Sequence, residues 1–126
     1  MTRNVRVIVF TWLKSVGLMI DEELHRRGFE AVFPTTWGLE ALSLLSNDNR
    51  GGEVVVIIDR GATQEMQDET NRLARKIRQI RPSAHLLRIG AEDDFPKDVK
   101  DGFWCKFGLD FESLGQLASS MVSNAA

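Results

Sequence analysis

The chain has 126 residues, 43% hydrophobic and 27% charged, with a formal net charge of -2. That is enough chain to bury one core, and its balance is ordinary for a soluble globular domain. No charge excess points to nucleic acid or an anionic membrane surface, and no apolar run approaches the length of a membrane span. Met1-Thr2-Arg3-Asn4 runs straight into an apolar strand pattern, so no signal peptide is expected. A lone cysteine, Cys105, allows no internal disulfide and suits a reducing compartment, which makes the cytoplasm the expected location.

Val5 to Phe10 is an apolar, β-branched run of strand length. Leu13, Val16, Gly17, Ile20 and Leu24 then recur at helical spacing, and Arg26-Arg27-Gly28 reads as a helix end. Phe29 to Phe33 predicts a short strand ended by Pro34, and Trp37 to Leu45 a second helix. A turn-rich stretch, Asn47 to Gly52, precedes Glu53-Val54-Val55-Val56-Ile57-Ile58-Asp59. This run reads as a strand buried on both faces, with Asp59 at the carboxyl end, where open α/β sheets place their ligand chemistry.

A long helix is predicted from about Gln64 to Ile80, with Met66, Thr70, Leu73, Ile77 and Ile80 on one stripe, stopped by Arg81-Pro82. Ala84 to Ile89 predicts a fourth strand ended by Gly90. The polar stretch from Ala91 to Gly102 leaves room for one short helical piece at most. Phe103-Trp104-Cys105 is a brief fifth strand, and Asp110 caps a last helix carrying Phe111, Leu114, Leu117, Ala118 and Met121 inward. Strands alternating with helices imply a single α/β domain over 1–126, a doubly wound five-stranded parallel sheet with helices on both faces.

Several residues in this order resemble the receiver domain of bacterial two-component response regulators, over nearly the whole chain. Gly28-Phe29 resembles the Gly-aromatic pair opening that family's second strand. Trp37-Gly38-Leu39-Glu40-Ala41-Leu42 resembles its second-helix signature. Ile57-Ile58-Asp59 is similar to the strand ending in the phosphoacceptor aspartate, and Cys105-Lys106-Phe107 to its Lys-Pro step, with the proline replaced. The resemblance implies a flavodoxin-like sheet of order 2-1-3-4-5. It also implies Asp59 as acceptor and Lys106 as its charge partner.

The departures from the pattern point elsewhere. The family's two magnesium-holding acids fall on Thr11 and Trp12, and its switch hydroxyl falls on Gly90. One aspartate is a poor ligand set for a hard cation, and phosphoryl transfer needs that charge neutralised. The segment from Gly90 to Lys106 is shorter than usual by about one and a half helical turns, so the helix there is shortened or missing. The chain thus resembles a degenerate receiver, a pseudo-receiver. The expected function is a non-catalytic signalling module that engages a protein partner, or a second copy of itself, without phosphorylation. Two alternatives stand beside it: a phosphate-accepting receiver using Asp59, and a small-molecule sensor in the altered pocket of Thr11, Trp12, Asp59 and Gly90.

No metal site or other cofactor is expected, since His25, His85 and Cys105 lack ligand spacing. The basic residues Arg72, Arg75, Lys76, Arg78 and Arg81 read as a solvated helix face rather than a nucleic-acid surface. Of the aromatics in the shortened region, Phe103 or Cys105 and Phe111 are expected in the core. Trp104, Phe107 and Phe95 are expected as partner contacts, or else as side chains refilling the space of the missing helix.

Overall fold

A computed structural model of the chain describes residues 5–46, 52–105 and 110–122. Five parallel strands run in the order β2-β1-β3-β4-β5: β1 Val5–Phe10, β2 Ala31–Thr35, β3 Glu53–Asp59, β4 His85–Ile89 and β5 Gly102–Trp104. Four helices connect or follow them: α1 Lys14–Arg26, α2 Gly38–Ser46, α3 Gln64–Ile80 and α4 Phe111–Met121. This is the doubly wound, flavodoxin-like sheet that the alternation of elements predicted. Among the described residues, no helix is long and apolar enough to cross a membrane.

The central strands explain the topology. In β3, Val54 through Asp59 are all buried, so both faces of the strand must be covered. Val55 and Ile57 join Val7, Val9, Leu87 and Ile89 under α1 and α4, where Ile20, Leu24, Leu114 and Ala118 close the layer. Val56 and Ile58 join Ile8, Phe10 and Leu86 on the other face, under Ala41, Leu45, Ala74 and Ile77 of α2 and α3.

Three expectations change. Pro34 does not end β2 but lies within it, opposite Val9. β2 is an outer strand, and there a missing N–H can face solvent. The inward stripe of α3 is Thr70, Asn71, Ala74 and Ile77, whereas Ile80 is exposed. Between β4 and β5 the chain makes two single 3-10 turns, Glu92–Asp94 and Lys97–Val99, where one short helical piece at most was expected. The helix between the fourth and fifth strands is thus replaced.

Candidate functional site

The carboxyl ends of β1, β3 and β4 meet at Asp59. Its side chain is almost wholly buried, and its Oδ1 accepts a hydrogen bond from the Gly61 amide at 3.1 Å. Trp12 follows β1 and folds over this end of the sheet. Its indole Nε1 donates to the Asp59 main-chain carbonyl at 3.1 Å, and its ring meets Phe10 edge to face at 5.3 Å. Gly61 makes that possible. It has φ +89°, and a Cβ there would come within 2.7 Å of the indole nitrogen and 2.5 Å of the Met66 Cβ.

Thr11 is buried too, but its hydroxyl donates to the Leu13 carbonyl at 2.8 Å, tying down the chain before α1. Gly90 continues β4, and its amide donates to the Trp104 carbonyl at 2.8 Å. Its φ is +153°, and a Cβ would approach the Phe95 ring to 2.7 Å and Arg60 Cδ to 3.0 Å. The place where a hydroxyl side chain would sit is therefore already filled by Phe95 and Arg60. So Trp12, Asp59 and Gly90 share a closed strand end, whereas the Thr11 side chain faces Gly17 of α1 and lines a separate cavity with Pro34 and Trp37. Around Asp59 and Gly90 the indole and the Phe95 ring take the space that a small-molecule sensor would need. Lys106 and Phe107 lie outside the described residues.

The receiver resemblance implies magnesium, and this donor set does not fit it. An indole N–H is a donor with no lone pair to offer, and the Thr11 hydroxyl is directed at a carbonyl. Among the described residues, no three His, Cys, Asp or Glu side chains converge. Hard cations need several oxygen ligands, and Asp59 supplies the sole carboxylate of the four residues.

Two of the expected partner contacts prove to be interior. Trp104 is 4% exposed; it lies on the α4 side of the sheet, packed on Phe111 at 5.6 Å, with its Nε1 donating to Ser113 Oγ at 2.9 Å. The register of β5 is the reason: Trp104 pairs with Ile89, which belongs to that core. By the same alternation Phe103 points out, contrary to its expected core role, with Lys100 above its ring. Phe95 is 5% exposed and fills the α3 side. Neither ring is open to a partner: Phe95 closes space beside β4 that a longer helix would cover, and Trp104 belongs to the core under α4 on the other face.

The residue that sequence reasoning missed is Arg88. It sits in the middle of β4 with no exposed surface. Its guanidinium donates to Thr70 Oγ1 at 2.9 Å and Asn71 Oδ1 at 2.8 Å, both from α3. Longer bonds reach the carbonyls of Val99 and Ile58, and Phe95 lies under the guanidinium at 4.3 Å. Burial lowers its pKa to about 10, against the attraction of Asp59 and with the repulsion of Arg75, so it remains a cation at neutral pH. A readable signal existed: an arginine inside an apolar strand must be buried with partners, and Thr70 and Asn71 stood on the facing stripe.

Around this cation the segment from Ala91 to Asp101 is strapped down by ion pairs. Arg60 meets Asp94 at 2.5 Å, Arg75 meets Asp98 at 2.9 Å and Arg78 meets Asp101 at 3.2 Å. Asp101 also accepts from the Leu86 amide at 2.8 Å. Burial opposes ionisation of Asp94, but hydrogen bonds from Arg60 and the Ala91 amide, with the Arg60 charge, outweigh it and hold the carboxyl below its usual range. Two of the basic residues read as a solvated face, Arg75 and Arg78, are thus occupied by this strap.

No family model matches the chain, and no curated protein matches it in sequence. Solved structures do. A response regulator from Thermotoga maritima superposes with a TM-score of 0.77 at 18% identity, covering 98% of this chain and 100% of its own. An adenylate cyclase from Rhodopirellula baltica superposes with a TM-score of 0.59 at 16% identity, over 94% of each chain. At such identities the likeness is one of fold. The chain has the fold of a response-regulator receiver domain.

Proposed function

We propose that the chain is a receiver-fold signalling module that works by protein–protein interaction, without enzymatic activity and without phosphoryl transfer to Asp59. The observation that carries this reading is the Trp12 indole bonded to the Asp59 carbonyl at 3.1 Å. It puts a neutral ring at the position where the receiver pattern has metal-holding acids. Phosphoryl transfer to a carboxylate concentrates negative charge, and its catalysis is largely positioning and charge stabilisation. Removing the cation's ligands takes away the main source of that stabilisation. The filled space beside Gly90 supports the same reading, because the hydroxyl that would sense a phosphoryl group has no room to exist.

The test is intact mass measurement after incubation with magnesium and a small acyl-phosphate donor. No covalent phosphate adduct is expected, in the wild type or in Asp59→Asn. A magnesium-dependent adduct on the wild type that disappears in Asp59→Asn would sink the proposal.

A further inference from the structure

Two of the large apolar side chains that the described residues expose, Leu18 and Trp37, share the wall of one cavity. Leu18 of α1 and Trp37 before α2 line a cavity of about 370 Å³, with Lys14, Pro34, Thr35 and Glu40 in the same wall. Trp37 is 61% exposed and Leu18 48%. Scattered exposed apolar residues are ordinary; two in the wall of one concavity, one of them an indole, mark a contact surface.

The outer edge of the sheet restricts how a partner can meet this surface. The Thr35 carbonyl accepts from the Thr11 amide, so the backbone groups of Thr35 face β1 and those of Pro34, one residue earlier, face outward. Pro34 has no N–H to offer, so the edge resists extension by an added strand. A partner must seat on side chains.

The charges indicate which partner. Lys14 and Glu40 line the same cavity, and among the described residues neither has a hydrogen-bond or ion-pair partner. Two copies related by a two-fold axis present the same patch to each other, so a patch with one free cation and one free anion complements itself. We infer that this face associates with a second copy of the chain, Trp37 and Leu18 buried at the centre and Lys14 of each copy set against Glu40 of the other. Apolar burial supplies the affinity and the charges set the register. A net charge of -2 offers little opposition. The inference rests on the interaction-module reading and names its surface.

Light scattering on a size-exclusion column, from micromolar to millimolar protein, tests it. The wild type should show a concentration-dependent dimer. Trp37→Ala should weaken it by on the order of thirtyfold, as loss of a central aromatic anchor does. Lys14→Glu and Glu40→Lys should each set like charges against each other and weaken self-association by at least about tenfold. An equimolar mixture of the two should re-associate as a heterodimer, because the charges again complement. Re-association also shows that both variants are folded; Lys14→Glu in addition places an acid in a first turn of α1 that has none, a stabilising position. A wild type that stays monomeric at millimolar concentration overturns the inference, as do charge reversals that dimerise like the wild type. Those results leave the phosphorylation-independent reading intact. A dimer formed only with magnesium and an acyl-phosphate donor, and lost in Asp59→Asn, would retain the surface and overturn that reading.

Discussion

The two faces of the sheet are closed by different physics. Under α1 and α4 the layer against the sheet is apolar, with a Glu23–Arg27 pair only at the seam between the two helices, and Trp104 needs one hydroxyl, that of Ser113, for its indole N–H. On the other face α2 and α3 cover β1 and β3 in the same way, but beside β4 no full helix follows. There a buried guanidinium reaches out to α3, to the Val99 carbonyl and to the Phe95 ring, and 3-10 turns take the place of the helix. A short segment cannot bury enough apolar surface to hold itself down. One long cation with five donors can tie several elements at once, provided every polar atom around it is used. The patched face is the one that crowds Gly90 and Asp59.

Breaking each face in turn should expose the contrast. Arg88→Ala leaves Asn71 buried without its partner and opens a void against Phe95, and we expect a loss of about 3 kcal/mol in urea unfolding. Leu114→Ala, in the apolar face, should cost a similar 2 to 5 kcal/mol or so. The two should differ in where the loss appears. Hydrogen exchange in Arg88→Ala should speed first in residues 91–101, while Leu114→Ala should lower protection across β1, β3 and α4 together. Equal, global effects from both would show that the patched face is as cooperative as the apolar one. Arg88→Met, which fills the void without a charge, should recover part of the loss if packing dominates over the hydrogen bonds.

A second variant tests the seam where the patched face meets Asp59. Gly90→Ser restores the hydroxyl of the receiver pattern, but its Cβ would press on Phe95 and Arg60 and its φ disfavours any side chain. We expect about 2 kcal/mol of destabilisation by thermal or urea unfolding, from strain and overpacking together. In a Phe95→Ala background the steric part should vanish and the increment should shrink. An unchanged increment would place the cost in the backbone alone.

How much of this was legible in the sequence depends on how much chain each feature spans. β1, β3 and α3 have the bounds read from the residues, because long periodic or uniformly apolar runs leave little freedom. β2 was cut at Pro34 because a proline reads as a stop unless one knows that the strand is at the edge. The three residues of β5 carry no period, so Phe103 and Trp104 exchanged inside and outside; only the pairing of Trp104 with Ile89 decides it. The loss of the acids at Thr11 and Trp12 was plain from the spacing. That Trp12 would bond the Asp59 carbonyl was not, since it depends on where the loop after Gly61 runs. Arg88 is one cation in an apolar strand, and its partners Thr70 and Asn71 follow only from the placing of β4 beside β3 and under α3.

The smallest effect concerns the strap. Asp94 has its carboxyl held below the usual range, so in the folded chain it stays ionised at a pH where the unfolded chain has begun to take up the proton. Its contribution is therefore fully present above the ordinary carboxyl value of about 4 and is lost as pH falls through its lower folded value. The Arg60–Asp94 pair is partly exposed, which limits its worth to under about 1 kcal/mol. Asp94→Asn should thus be only slightly less stable than the wild type at neutral pH. Below about pH 4 the two should converge, because protonation removes from the wild type what the substitution has already removed. Urea midpoints from neutral pH downward measure this, and added salt at neutral pH should narrow the gap in the same sense. Curves that stay parallel down to pH 3 or so would mean that the 91–101 segment is held by Arg88 and Phe95 alone, with the ion pairs adding nothing.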